Sequence, residues 1–215
     1  MLAFYAGNFN CVEINNSFYR LPDLETFRKW GNTVPEGFAF AVKASRYLTH
    51  MKKLKDPSEA LKKLLECARG LGPKLGPVLF QLPPRWHCNA ERLQDFLGEM
   101  PPDVRCAFEF RDKSWFNERV YDILQDAGAA FCIHDLGGEL SPVVVTADFI
   151  YVRFHGPGAA YQGKYQVEAL RLWAERLAGW NAQGREVFCF FNNDENAYAV
   201  ANALELKRIV EEVSC

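Results

Sequence analysis

Cys106-Ala107-Phe108-Glu109-Phe110-Arg111 alternates in the way a buried β-strand does, yet it carries two opposite charges. The alternation places Ala107, Glu109 and Arg111 on one face and the larger apolar side chains on the other. Burying a carboxylate is unfavourable by roughly several kcal/mol unless the group is paired or lies in a polar cavity. We therefore expect Glu109 either to have a charged partner or to line a pocket.

Six further stretches repeat this pattern, at residues 12–15, 38–43, 78–81, 131–135, 150–155 and 188–193. Each is a short apolar run that ends in polar residues. Counting back over alternate residues gives the polar-ended faces Cys11, Glu13 and Asn15; Ala39, Ala41 and Lys43; Leu79 and Gln81; Phe131, Ile133 and Asp135; and Tyr151, Arg153 and His155. The opposite faces are almost wholly apolar. Seven such strands predict an α/β fold, a parallel TIM-type (β/α) barrel with its polar groups at the C-terminal strand ends.

Helical patterns separate these strands. Asp23, Asn89 and Asn117 stand where N-caps of helices are expected, and Asp56-Pro57-Ser58-Glu59 has the pattern of a capped helix start with Asp56 as the cap. Strands and helices alternate over the whole chain, so we predict a single (β/α) barrel domain over residues 1–215. A closed barrel of this type normally has eight strands, and the sequence provides about seven.

Composition limits the function classes. The chain has 215 residues, a formal net charge of −2 and a pI near 6.1, which argues against a general electrostatic nucleic-acid footprint and leaves a local basic groove open. It has no apolar run of transmembrane length, and its first ten residues lack a signal-peptide pattern, so we expect a cytoplasmic protein without a membrane partner. Seven cysteines without Cys-x-x-Cys and four histidines without ligand spacing give no metal signature, so we expect no metal and no cofactor. The alternative is a metal held by some of Glu13, Glu109, Asp135 and His155.

Several motifs resemble one known family in the same order along the chain. They are Val12-Glu13-Ile14-Asn15 with Ser17-Phe18-Tyr19-Arg20-Leu21-Pro22, Phe40-Ala41-Val42-Lys43-Ala44 with Leu48-Thr49-His50, Phe80-Gln81-Leu82-Pro83-Pro84, Phe108-Glu109-Phe110-Arg111 with Ser114-Trp115, Val152-Arg153-Phe154-His155-Gly156, and Phe191-Asn192-Asn193. The sequence is thereby similar to the YecE-like family, domain of unknown function 72. The resemblance implies a TIM-type barrel and says little about activity. Family members usually begin with a strand resembling Ile-Gly-Thr-Ser-Gly-Trp, so the resemblance implies a short form that lacks the first barrel strand.

Three strand-end residues are the catalytic candidates. Glu109 and Glu13 end different strands and are expected to reach the same mouth, as paired carboxylates do in acid/base or glycoside-cleaving sites. Lys43 follows the small residues Ala39 and Ala41, which leave room for an amine that acts as a base or a Schiff-base nucleophile or stabilises negative charge. The structural alternatives are an ion pair of Glu109 with Arg111 or Arg153, and a counter-ion role for Lys43.

The remaining polar strand ends and two aromatic residues are predicted to bind substrate: Asn15, Tyr19, Gln81, Arg111, Trp115, Asp135, Arg153, His155, Asn192 and Asn193. Arg153 and His155 precede Gly156-Pro157-Gly158, a loop that lets backbone approach a carboxylate or phosphate. Tyr19 and Trp115 either stack on a ligand or pack on the rim, and the two asparagines either recognise hydroxyl groups or cap the following helix.

Together these residues predict an enzyme with acid/base chemistry, hydrolase-type or lyase-type, that acts on a small polar substrate. In this hypothesis Glu109 is the acid or base, while Lys43 or Arg153 stabilises negative charge. The alternative is a non-catalytic module that binds a metabolite, or single-stranded nucleic acid stacked on Tyr19 and Trp115. The pI makes nucleic acid the less favoured partner, and the sequence leaves the oligomeric state open.

Overall fold

β-Strands and α-helices alternate along the chain in the computed structural model, which describes residues 2–214. This alternation confirms the predicted α/β class. The chain separates into two compact units, one ending at Ala129 and the other beginning at Ala130. We call them unit 1 and unit 2 and describe each by itself.

Unit 1 has four parallel strands that pair in sequence order: β1 (Cys11–Ile14), β2 (Ala39–Lys43), β3 (Leu75–Gln81) and β4 (Cys106–Glu109). Its helices are α1 (Leu2–Ala6), α2 (Leu24–Thr33), α3 (Ser58–Ala68), α4 (Ala90–Gly98) and α5 (Glu118–Asp126). A 3₁₀ helix (Asn16–Phe18) follows β1, and a π-helix (Tyr47–Met51) follows β2. Because these four neighbouring strands are parallel, their C-terminal ends lie along one edge of the sheet.

The register in unit 1 confirms the predicted strand faces. Glu13 lies opposite Ala41, Lys43 lies opposite Leu79, and Gln81 lies opposite Glu109. Opposed residues of parallel strands carry their side chains on the same face, so the polar strand ends share one face. The other face is apolar and fully buried, with Phe80 stacked on Phe108 at 5.2 Å and meeting Phe96 of α4 edge-on at 5.0 Å.

Three predicted helix starts are confirmed by hydrogen bonds, and one is wrong. The side chains of Asp23, Asn89 and Asn117 each accept a bond from the backbone N–H three residues later, at 2.8, 2.9 and 3.2 Å. Helix α3 instead begins at Ser58, after Pro57 and without a side-chain cap. Asp56 adopts a left-handed φ of 43°, which is incompatible with the extended backbone of a capping residue.

Unit 2 has three parallel strands paired in the order β5 (Ala130–Leu136), β7 (Phe149–Phe154) and β8 (Glu186–Phe191). A two-residue strand, β6 (Glu139–Leu140), pairs antiparallel with the end of β5. Its helices are α6 (Val167–Ala182) and α7 (Tyr198–Val213). Residues 2–214 thus contain seven parallel strands, the number predicted. In that part of the chain no helix combines the length and apolarity needed to cross a membrane.

Candidate functional site

The C-terminal ends of β1 to β4 bring a group of polar residues together. Lys43 Nζ donates to Gln81 Oε1 at 2.7 Å and lies 4.6 Å from the centre of the Phe18 ring. The buried Ser17 hydroxyl lies 2.9 Å from the Ile14 carbonyl oxygen and 2.7 Å from that of Lys43, which fixes the 3₁₀ helix against the end of β2. We call Glu13, Phe18, Lys43, His50, Gln81, Glu109 and Arg111 the Lys43 cluster.

Glu109 forms the buried ion pair that its strand position requires. Its carboxylate pairs with Nε of Arg111, and the exposed fractions of the two side chains are 0% and 7%. Two opposite charges at this depth stabilise each other only when they are in contact and hydrogen-bonded. The pairing with Arg111 is one of the structural alternatives raised from the sequence, and it places the Glu109 carboxylate behind the guanidinium.

His50 joins this cluster from the π-helix after β2. Its ring meets Phe18 edge-on at 5.0 Å, and its Nδ1 lies 2.9 Å from Thr49 Oγ1. Thr49 Oγ1 is also 3.2 Å from the Ser45 carbonyl oxygen, which can only accept. When the hydroxyl donates to Ser45, its oxygen accepts the proton of His50 Nδ1, and Nε2 then carries the lone pair of a base.

The surroundings of His50 favour its neutral form. Partial burial lowers the pKa of His50 from its ordinary value of 6.5, and the positive charges of Lys43, Arg46 and Arg111 lower this pKa further. The neutral imidazole is therefore the main form at pH 7. A neutral base surrounded by cations suits chemistry in which a negatively charged group is bound and a proton is exchanged.

The register in unit 2 corrects one predicted face. His134 lies opposite Arg153, and Asp135 lies opposite Phe154. The expectation that Asp135 shares a face with Arg153 and His155 is therefore wrong, because His134 occupies that face. His134 and Asp135 are successive polar residues near the end of β5, so alternation alone fits either face. The rings of His134 and His155 lie 6.5 Å apart between centroids.

Asp135 instead contacts Tyr165. The Tyr165 hydroxyl accepts a bond from the Gly156 N–H at 3.0 Å and bonds to the Asp135 carboxylate. Burial is the main cause that raises the pKa of Asp135, and the bonds from Tyr165 and Gly138 oppose it only in part. Burial also raises the pKa of Tyr165, and the Asp135 charge adds to this effect. These groups hold the start of the loop after β7.

Asn193 holds the other end of the same loop. Its side-chain Nδ2 donates to the Gly163 carbonyl oxygen at 2.8 Å and to Asn202 Oδ1 at 3.0 Å. Asn202 in turn accepts from the Tyr165 N–H at 3.1 Å and donates to the Tyr165 carbonyl at 2.9 Å. Both asparagines are fully buried. We therefore assign Asn193 to loop anchoring rather than to substrate contact.

His155 lies beneath the tip of this loop. Its ring meets that of Tyr161 edge-on at 5.4 Å, and its carbonyl oxygen accepts from the Tyr161 N–H. The turn requires glycine at position 156, where φ is 109° and a Cβ would collide with the carbonyl oxygens of Ala159 and Gln162. Asn192 continues the strand face that carries His155, since its N–H bonds to the Phe154 carbonyl at 2.7 Å.

A family model described as "Protein of unknown function DUF72" matches residues 1–214. The chain belongs to the DUF72 family. Its relatives include the UPF0759 protein YunF of Bacillus subtilis (strain 168), which is 28% identical over 96% of this chain and 85% of that protein. The UPF0759 protein YecE of Escherichia coli (strain K12) is 29% identical over 91% of this chain and 80% of that protein.

Solved DUF72 structures have the same fold as this DUF72 chain. A DUF72 family protein from Thermotoga maritima MSB8 superposes with a TM-score of 0.84 at 29% identity, covering 94% of this chain and 85% of that one. A second, from Enterococcus faecalis V583, gives a TM-score of 0.88 at 22% identity, covering 98% and 88%. These names and structures establish the family and fold, and they carry no reaction or ligand.

Three predicted binding residues of this DUF72 chain are not members of the Lys43 cluster, although the Tyr19 ring meets the Phe18 ring of that cluster edge-on at 5.0 Å. Asn15 and Tyr19 are exposed on either side of the 3₁₀ helix after β1, with Tyr19 82% exposed. Trp115 is fully buried, stacked on Phe110 at 4.9 Å, and its Nε1 donates to the Trp86 carbonyl at 2.7 Å. Its ring is enclosed in the core, so we assign Trp115 to packing, the alternative raised from the sequence.

Two histidines that sequence reasoning left out belong with the predicted residues. His50 follows the end of β2 by seven residues, and its place in the loop after a polar strand end was the available signal. His134 precedes Asp135 on β5, and alternation counted from His134 is the signal that places it on the face of Arg153. Among residues 2–214, no three His, Cys, Asp or Glu side chains are grouped as they would be around a metal ion.

Proposed function

We propose that this DUF72 protein is an enzyme that performs acid/base chemistry, hydrolase-type or lyase-type, on a small polar substrate with an anionic group. The reaction site is the Lys43 cluster at the C-terminal ends of β1 to β4. The observation that carries the proposal is geometric: the His50 ring is held by Thr49 through Nδ1 and packs against Phe18, the ring that Lys43 Nζ also contacts. Such a group exchanges a proton near pH 7 while the cations hold negative charge.

Each residue of the cluster has a role that its contacts support. Lys43 and Arg111 bind the anionic group and stabilise charge that develops on it. The bond from Lys43 Nζ to Gln81 keeps the amine pointed along the strand ends. Glu109 acts on the substrate through Arg111, because its own carboxylate is buried against that guanidinium. We assign the second carboxylate of the proton transfer to Glu13 from its position alone, because it is half-buried at the end of β1 on the polar face of the sheet.

The experiment is a ligand screen followed by a turnover assay. Wild-type protein is heated with sugar phosphates, hydroxy acids and nucleoside monophosphates, and each compound that raises the melting temperature is incubated with enzyme and followed by proton NMR. We expect at least one such compound to be converted. His50→Asn should slow the conversion by about 100-fold or more, and Lys43→Met should weaken binding of the same compound.

Matched controls keep the outcome interpretable. Lys62→Met changes an exposed lysine on α3, so it removes the same charge outside the cluster and should leave turnover unchanged. Turnover that is fully retained in both His50→Asn and Lys43→Met would overturn the proposal. Compounds that bind at the cluster but are never converted would support the non-catalytic metabolite-binding alternative instead.

A further inference from the structure

The segment that follows β2 concentrates positive charge. Residues 43–55 contain five of the chain's 25 lysines and arginines and none of its 27 aspartates and glutamates. These five are Lys43, Arg46, Lys52, Lys53 and Lys55. The rest of the chain is therefore acidic, and the net charge of −2 conceals one locally basic segment. Apart from Lys43, these residues lie on the loop side of the strand ends.

Aromatic rings lie among these cations. Lys52 Nζ is 5.8 Å from the centre of the Tyr47 ring, and Lys53 Nζ is 5.9 Å from that of Trp86. Tyr47 is 46% exposed. Arg92 also reaches this surface, where its Nη1 donates to the Lys53 carbonyl oxygen at 3.4 Å. We call Arg46, Tyr47, Lys52, Lys53, Arg85 and Trp86 the basic aromatic surface.

Trp86 is held in place from below. The buried Trp115 donates from Nε1 to the Trp86 carbonyl oxygen, and the two rings meet edge-on at 5.2 Å. Trp115 is itself stacked on Phe110 in the core. Because Trp86 is only half-buried, part of its ring faces solvent next to Lys53. The packing thus presents an indole at a fixed position beside a cation.

The backbone of this surface departs from regular structure. Tyr47–Met51 forms a π-helix, and Lys53, Leu54 and Arg85 have left-handed φ values of 49°, 62° and 61°. Such conformations are sparsely populated for residues other than glycine, and they concentrate where a segment contacts a ligand. The strained turn after the π-helix is what places Lys53 over Trp86.

We propose that the basic aromatic surface binds single-stranded nucleic acid. Lysine and arginine would contact successive phosphates, while the exposed faces of Tyr47 and Trp86 would each stack on a base. Interleaved cations and aromatic rings suit a single strand, because a duplex keeps its bases stacked on one another. The inference is independent of the reaction proposed at the Lys43 cluster, since it uses the loop residues beyond it.

Fluorescence anisotropy with a labelled oligodeoxythymidylate of about 20 nucleotides tests this inference. We expect binding at about 50 mM NaCl, with log Kd rising against log salt concentration at a slope of about 3, as four to five phosphate contacts require. Lys52→Glu with Lys53→Glu should lower the slope by about 1.4 and weaken binding at least tenfold. Trp86→Ala should weaken binding about tenfold and leave the slope unchanged.

Lys62→Glu with Lys63→Glu is the matched control, because it makes the same charge change on exposed positions of α3 and should alter Kd less than twofold. Tyr47→Ala, at a largely exposed ring, repeats the stacking test if Trp86→Ala lowers the melting temperature. Absence of binding at low salt, an equal loss in the control, or equal affinity for a duplex of the same length would each overturn the inference.

Discussion

Breaking the Glu109–Arg111 ion pair should destabilise the protein strongly. Glu109 is fully buried and Arg111 is 7% exposed, so either single change removes a charged, hydrogen-bonded contact from a poorly hydrated site. Glu109→Gln or Arg111→Met should each lower the free energy of unfolding by about 3–5 kcal/mol. The double variant should be less destabilised than the two single losses added together, by about 2–3 kcal/mol.

Urea unfolding followed by tryptophan fluorescence measures these values. The buried Trp115 ring is a suitable probe because it stacks on Phe110, and Phe110 lies between Glu109 and Arg111 in the sequence. The urea m-value should stay constant across the four proteins. Arg69→Met, which breaks the exposed pair with Asp103, is the control and should cost no more than about 1 kcal/mol. Single variants that lose less than about 1 kcal/mol, or losses that simply add, would refute the reasoning.

Three further predictions concern titration and the loop after β7. The pKa of His50 is lowered in the folded state, so below about pH 6.5 the unfolded chain binds more protons than the folded one. The free energy of unfolding of the wild type should therefore fall as pH falls. His50→Asn should reduce this dependence of stability on pH in unfolding measurements from about pH 7 to 5. Tyr165→Phe should cost about 1–3 kcal/mol in urea unfolding, because the Gly156 N–H and the Asp135 carboxylate both lose their bond. The pKa of Asp135 is raised in the folded state, so its carboxylate lowers stability as pH rises through that pKa. Asp135→Asn should therefore raise the melting temperature at pH 7 and lose this advantage near pH 4. An equal rise in melting temperature at pH 7 and pH 4 would contradict the raised pKa of Asp135.

The sequence predicts much of this fold because its patterns are local. Apolar runs that end in polar residues locate the seven parallel strands of residues 2–214, and three asparagine or aspartate caps mark helix starts. Asp56 shows the limit of such patterns. Its neighbours match a capping box, yet the chain enters α3 from left-handed backbone at Asp56, which no local sequence pattern indicates.

The candidate site is only partly predictable, since proximity depends on register and loop path. Lys43, Gln81 and Glu109 follow directly from strand alternation, and the structure brings them together. The face of Asp135 does not follow, because His134 and Asp135 are successive polar residues near the end of β5 and alternation fits either choice. His50 enters the site from an irregular π-helix, for which the sequence has no periodic signal.

The central claim is that His50 is a neutral base beside Lys43 and Arg111, and that these two cations bind an anionic group. Its most direct test is an NMR titration of the four histidine rings, with the His50 signal identified by its loss in His50→Asn. We predict a His50 pKa below 6.5, and a rise in that pKa when sulfate replaces chloride at equal ionic strength, because a bound anion offsets the charges of Lys43 and Arg111. A His50 pKa at or above 6.5 that sulfate does not move would contradict the account.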